Sequence, residues 1–248
     1  MTTFPRGALL GRRWLWPVRS RARLALPAKE LAAVEHLAVQ LFCRALRPDE
    51  YAGLGGAPDD ALVRVAAMGS LLRLEVVDPR RCGYSGAHAL FLGRGGPVLA
   101  SGGHRILDPR RRGQGIGLQM VRRQLITARR LGVRSIVADG VRTATENGYY
   151  VGPRLGFDSP LSERVLRSLP GPLRKARCVL DLIESQAGRD WWREHGVELE
   201  LVFDLRHDSR CWVVFRQYLG EQALRKRSPR GPGTLDFVAE FGQQRGEQ

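Results

Sequence analysis

The chain has 248 residues and four widely spaced cysteines, Cys43, Cys82, Cys178 and Cys211. That length can bury a sizeable core without covalent staples, and the spacing excludes a disulfide framework and a clustered zinc site. The net charge of +15 is almost wholly arginine, since lysine stands only at Lys29, Lys175 and Lys226. Nearly half of the excess lies in residues 1–29, which hold no acid, so a nucleic-acid role is the weaker reading of this charge.

Residues 1–27 read as a basic, disordered arm. Its uncharged runs, such as GALLG and WLWPV, are too short for a signal-peptide core, and no later stretch offers about 20 consecutive apolar residues. A soluble protein in a reducing, cytoplasmic setting is expected, with no membrane contact. The minority reading gives Trp14, Trp16 and the arginines of the arm a membrane-surface or nucleic-acid contact.

From residue 28 the apolar positions Leu31, Val34, Leu37, Ala38, Leu41, Phe42 and Ala45 recur at helical spacing, predicting a helix over 28–46 that Pro48 closes. LVRVAAM (62–68) and LLRLEVV (71–77) are β-type runs joined by Gly69 and Ser70, the pattern of a tight hairpin. AHALFLG (87–93) and PVLASGGHRILD (97–108) form a second pair around Gly95 and Gly96. Ile116, Met120, Val121, Leu125, Ala128 and Leu131 then mark one face of a helix that Gly132 stops, and RSIVADG (134–140) follows as a buried-type strand. Strand, turn, helix and strand in this order predict a βαβ crossover with adjacent parallel strands. Beyond it come a helix over 172–185, a short one at 188–196, an alternating strand over 197–205 and a last helix from Arg210 that Ser209 can cap. The tail from Ser228 is expected to be loose.

The stretch LDPRRRGQGIGLQM (107–120) carries the chemistry. A helix N-terminus offers unpaired backbone N–H groups and partial positive charge, and Gly113, Gly115 and Gly117 let an anion come close. Arg110, Arg111 and Arg112 can add charge-assisted bonds to phosphate oxygens. A nucleotide P-loop would need Lys followed by Ser or Thr where Leu118 and Gln119 stand. The dinucleotide fingerprint would need a glycine where Leu118 or Met120 stands.

RRGQGIG resembles motif A of the GCN5-related N-acetyltransferases (GNAT), with Arg112, Gly115 and Gly117 at its fixed places. NGYYVGPRLGF (147–157) resembles the family's motif B, opened by Asn147 and closed by Gly156 and Phe157. The resemblance covers about residues 104–160. It implies an α/β fold: a mixed, mainly antiparallel central sheet flanked by helices, here with a C-terminal helical addition. It also implies acetyl-CoA as cosubstrate, its pyrophosphate held by Arg112, Gly113, Gln114, Gly115, Ile116 and Gly117. Backbone near Leu107 would stabilise the oxyanion, and Asn147 would orient the cofactor. The tyrosine that many family members use as acid is replaced here by Gly152, followed by Pro153, which leaves Tyr150 as the candidate acid. His104, on a strand face with Asp108, is the candidate base, with Glu75 on a preceding strand as another. Trp191, Trp192 and Trp212 either line an acceptor pocket or pack the C-terminal part.

These readings divide the chain into an arm (1–27), an acetyltransferase-like domain (28–220, with a motif-bearing core over 104–160 and an additional part over 161–220), and a helix end with a loose tail (221–248). The expected activity is transfer of an acetyl group to an amine of a small molecule or protein, with no metal. The alternatives are a coenzyme-binding module without catalysis and, more weakly, a nucleic-acid-binding protein.

Overall fold

The computed structural model describes residues 21–80, 83–143 and 146–227. Most of the expected arm, including Trp14 and Trp16, and the tail from Ser228 lie outside the described residues. The strands are β1 (Arg23–Ala25), β2 (Leu62–Met68), β3 (Leu71–Val77), β4 (Tyr84–Gly93), β5 (Gly96–Ile106), β6 (Ser135–Gly140) and β7 (Leu199–Asp204). They form one sheet in chain order, parallel at β1–β2 and β5–β6 and antiparallel elsewhere, which is the mixed, mainly antiparallel sheet expected.

The helices are α1 (Leu31–Phe42), α2 (Pro48–Leu54), α3 (Ile116–Arg130), α4 (Gly148–Arg154), α5 (Glu163–Ser168), α6 (Val179–Ile183), α7 (Gln186–His195) and α8 (Arg210–Arg227). Strand alternation sends Val65, Leu74, Leu90, Leu99, Ile136 and Phe203 to one face, where all are buried. Helices α1–α4 and α8 cover that face. Gly53 of α2 lies against Thr127 of α3, Gly152 of α4 lies against Leu201, and Arg129 of α3 stacks over the Trp212 ring of α8, 5.3 Å from its centroid. The additional helices α6 and α7 attach to this layer from outside, through Arg210–Asp181 at 2.6 Å and Trp192 Nε1 donating to Tyr149 O at 2.9 Å.

Three elements differ from expectation. Residues 23–25, read as the end of the arm, form β1, because β2 offers them a parallel edge from Leu62 to Arg64. The predicted 28–46 helix becomes a 3-10 turn at Ala28–Glu30 and then α1, which ends at Cys43 with a left-handed φ of 56°. Pro48 opens α2 rather than closing α1, since its missing N–H and fixed φ suit the first helical turn. The single helix over 172–185 is instead the end of a 3-10 turn at Gly171–Leu173 and, after a break, the short α6, while α5 lies ahead of that range. The Asp181 carboxylate accepts from Arg177 N–H at 2.7 Å and Cys178 N–H at 3.0 Å, which starts a new helix there.

Glu50 ties the helical layer together. Its buried carboxylate accepts both guanidinium arms of Arg44 at 2.8 Å and the Arg47 N–H at 2.9 Å, and Arg130 of α3 lies 3.5 Å away. The Arg44 hydrogen bonds lead the effects that hold its carboxyl down, at about 2. That stabilisation is complete above the ordinary carboxylate range and is lost as pH falls through about 2. Glu50→Gln removes the charge that three arginines share. It is expected to cost about 3 kcal/mol at neutral pH, measured by urea unfolding, whereas a cost near zero would show that the cluster is incidental.

Candidate active site

The site grows from a pair of glycines inside β5. Between Ser101 and His104 the strand takes three steps while β4 takes two, from His88 to Gly86, so Gly102 and Gly103 form a bulge. Gly103 has φ 84°, and a Cβ on Gly102 would lie 2.8 Å from Ala87 O, so both positions require glycine. Pairing of β5 with β6 ends at Ser101–Ala138, immediately before the bulge. Beyond it β5 stays on β4 as far as Ile106, while β6 continues along β7 to Gly140. The two parallel strands splay apart, and β5 presents an unpaired edge to the gap.

Leu107, the residue expected to donate to an oxyanion, is not on that edge. Its N–H donates to Gly83 O at 3.0 Å, and its side chain is exposed. In an antiparallel pair hydrogen-bonded and open positions alternate. With Leu107 bonded toward β4, Ile106 and His104 have their backbone N–H groups directed into the splay. Those two amides are the candidate donors. The paired glycines in SGGH were the sequence signal for them, since glycines inside a strand mark a bulge.

From the splay the chain turns directly into the glycine loop. Asp108 Oδ1 accepts from Arg110 N–H at 2.9 Å, fixing a 3-10 turn over Pro109–Arg111. Asp108 is thereby a turn cap rather than a base. Gln114 Nε2 donates to Arg110 O at 2.8 Å and staples the loop. Gly113 and Gly115 adopt φ 73° and 82°, and Gly115 caps α3, whose first N–H groups have no intrahelical acceptor. A Cβ on Gly113 or Gly117 would meet nothing within 4 Å, so open space lies in front of Gly117 in the first turn.

The three arginines separate. Arg112 Nε donates to Ile106 O at 3.3 Å, joining the loop to the splayed strand. Arg111 turns inward to Asp78 at 3.4 Å and stacks over Tyr84, lining a crevice of about 250 Å³ against Gly56, Ile116 and Met120. Arg110 stays exposed.

The candidate acid and base are both enclosed. The Tyr150 ring is buried in α4, and its hydroxyl accepts from Arg193 of α7 at 3.0 Å, so it joins the helical addition to the core. Asn147 is exposed at the start of α4, where its carbonyl accepts from Tyr150 N–H at 3.0 Å. His104 lies beneath α2 and α3, edge-on to His88 at 4.8 Å, and neither of its buried ring nitrogens reaches a hydrogen-bond partner. Burial lowers His104 to about 4 and His88 well below its ordinary value, so both rings are neutral near pH 7 and His104 is too weak a base for an ammonium. Glu75 pairs with Arg73 at 2.5 Å on the other face of the sheet. Trp192 and Trp212 are packing residues, each buried with its indole N–H donating to a backbone carbonyl.

This arrangement can hold an anion at the start of α3 and polarise a carbonyl in the splay. The sequence matches no family model and no curated protein. Among solved structures, a protein of Klebsiella pneumoniae subsp. pneumoniae MGH 78578, provisionally described as an acyl-CoA N-acyltransferase, is similar over 55% of this chain and 73% of that one. The identity is 14% and the TM-score 0.31. The mixed, mainly antiparallel sheet, the adjacent parallel pair and the glycine-led helix between its strands agree with the expected βαβ crossover. The fold is a mixed, mainly antiparallel seven-stranded sheet flanked by helices. No helix among the described residues is long and apolar enough to cross a membrane.

The neutral His88–His104 pair sets an acid limit. Unfolding restores the ordinary histidine value near 6.5, so the unfolded chain binds more protons below that pH. The pair's contribution is complete above about pH 6.5 and is lost as pH falls toward about 4, by up to about 1.4 kcal/mol per pH unit for each ring. Urea midpoints measured across this window are expected to fall with pH, and His104→Gln to flatten the slope. An unchanged slope would show that the ring is not buried neutral.

Proposed function

We propose that the protein is an acyl-CoA-dependent N-acyltransferase that moves an acetyl group from acetyl-CoA to an amine of a small molecule or protein. The observation that carries this reading is the contact of Arg112 with Ile106 O, which joins an anion-binding helix start to a strand edge with two outward amides. An acyl-CoA has the matching chemistry: a pyrophosphate at one end of a flexible arm and a thioester carbonyl at the other.

In this reading the first N–H groups of α3, with Arg112 and Arg110, hold the pyrophosphate. The His104 and Ile106 amides donate to the thioester oxygen, and to the oxyanion that forms when the neutral amine attacks its carbon. Collapse of the tetrahedral adduct breaks the carbon–sulfur bond. The amine's proton and the proton taken up by the thiolate pass through water, since Tyr150 is held by Arg193 and His104 is sealed.

The same two facts favour a second reading, a coenzyme-binding module without catalysis. Turnover separates the two: thiol release with an amine acceptor supports the enzyme, and tight binding without release across an amine panel supports the module.

Gly117→Glu tests the shared site. Open space surrounds the position and its φ is not left-handed, so the variant is expected to fold normally while its carboxylate repels the pyrophosphate. Calorimetry with acetyl-CoA should show binding by the wild type and at least a hundredfold loss in the variant, with matching circular dichroism. No binding by a folded wild type would overturn both readings.

A further inference from the structure

The face of the sheet opposite the helices is uncovered among the described residues, and the gap between β5 and β6 opens onto it. His104 and Ile106 turn their side chains to the helical face, so Arg105 between them projects from the uncovered one. Arg105 stands opposite Ser85 of β4, yet its guanidinium reaches the other way, across the gap: Nε lies 2.8 Å from Glu146 Oε1. Glu146 belongs to the turn that follows β6. Thr143 N–H donates to Glu146 O at 2.9 Å, and Arg142 and Asn147 form a bridge at the base of that turn. One ion pair therefore spans the gap beside the two outward amides of β5.

The charges around this pair are one-sided. Asp139 is the first residue of β6 past the last β5–β6 pair, and it stands opposite Glu200 of β7. Both are exposed on the uncovered face, and neither has an ion-pair partner among the described residues. Like charges opposite one another on a sheet repel. Arg142, the nearest other arginine in sequence, is taken up elsewhere: its guanidinium donates to Glu194 O at 2.9 Å and to Gly196 O, and lies over the Tyr149 ring. The remaining strand charges of this face, Arg23, Arg64, Arg73 and Glu75, belong to β1–β3. Glu146, Asp139 and Glu200 thus lie on the β6 side of the gap, and Arg105 is the only formal charge that β5 sets against them.

We infer that the acceptor carries a second positive charge beside its reacting amine, and that Glu146 exchanges Arg105 for that charge when the acceptor enters, which rests on the acyltransferase reading above. The coenzyme reaches the gap from the start of α3, on the helical face, and this leaves the uncovered face to the acceptor. Arg105 stands where the second charge binds. The guanidinium lies most of an arginine side chain away from the β5 backbone, so the charge bound there is not the neutral nitrogen that attacks beside the amides. A dicationic amine makes the same charge-assisted contact with Glu146 and enters the field of Asp139 and Glu200. A monoamine leaves the ion pair bridged across the entrance.

Turnover of diaminobutane against butylamine, matched in length and differing in the second amine, tests the exchange, with acetyl-CoA saturating and thiol release as the readout. An exposed ion pair contributes little to stability, and Arg105 is 62% exposed, so variants of the pair should fold. Circular dichroism and acetyl-CoA calorimetry check the fold and the coenzyme site of each. The wild type should prefer the diamine by about tenfold or more in kcat/KM, and Glu146→Gln should remove that preference by raising the diamine's KM. Glu146→Asp should recover part of it. Arg105→Gln should lower the diamine's KM, since nothing then competes for Glu146. A peptide with arginine after its free N-terminus, compared with its glutamine counterpart, separates a protein acceptor from a small one, and a preference for either charged probe that Glu146→Gln removes supports the exchange. Turnover without preference for a second charge, or a preference that survives Glu146→Gln, overturns the inference and leaves the acyltransferase reading standing. A KM raised equally by Arg105→Gln and Glu146→Gln would make the pair a structural tie, and lost acetyl-CoA affinity would place it in the coenzyme site; each overturns the inference. So does a wild type that binds acetyl-CoA and turns over none of these probes, and silence across a wider amine panel would remove the enzyme reading as well.

Discussion

Between Ser101 and His104 strand β5 carries one residue more than β4 opposite, and the backbone can take it only because Gly102 and Gly103 stand there. Hydrogen bonding to β4 is regained below the bulge, while hydrogen bonding to β6 is not. A sheet that would otherwise be continuous therefore contains a gap lined on one side by unpaired backbone. Such an edge remains only where water or a ligand can satisfy it. The adjoining loop places the open N-terminus of α3 at the end of the same strand, with Arg112 joining the two. The local cost of the bulge thus creates both halves of a site that suits a long, doubly functional ligand.

The bulge also depends on what lies beneath it. His104 and His88 fill the core face at this level, with Ser101 and Gln124 hydrogen-bonded to His88, and Gly86 is free of a side chain where a Cβ would lie 3.0 Å from a nitrogen of each ring. Three of the four ring nitrogens have no partner, so the neutral form is the tolerable one. Polar residues at this depth are poor material for a core. Their position under the bulge places a pH-sensitive prop beneath the splay.

Much of this was legible in the sequence because local chemistry decided it. The hairpins followed from alternation and glycine turns, and the crossover from the switch of period at Ile116. The glycine turn ahead of α3 followed from Gly113, Gly115 and Gly117. What was hidden depended on tertiary partners. Pro48 reads equally as a stop or a start until Glu50 and its arginines select the start. The α6 cap needs the Asp181 carboxylate to return to Arg177 and Cys178. Tyr150 and His104 were reasonable by residue type, but the helical addition holds the first through Arg193 and the core encloses the second. The strand parity near Leu107, whose own N–H turns to Gly83, is set by the bulge upstream. The pair Gly102–Gly103 announced a bulge without fixing the parity beyond it.

The central claim, that the splay binds a thioester through the backbone of β5, is tested most directly by amide hydrogen exchange with and without acetyl-CoA. The account predicts that the His104 and Ile106 amides, open in the free protein, gain protection together with the first amides of α3. The Leu107 amide, already bonded to Gly83, should stay unchanged. Protection confined to α3, or appearing nowhere on β5, would contradict it.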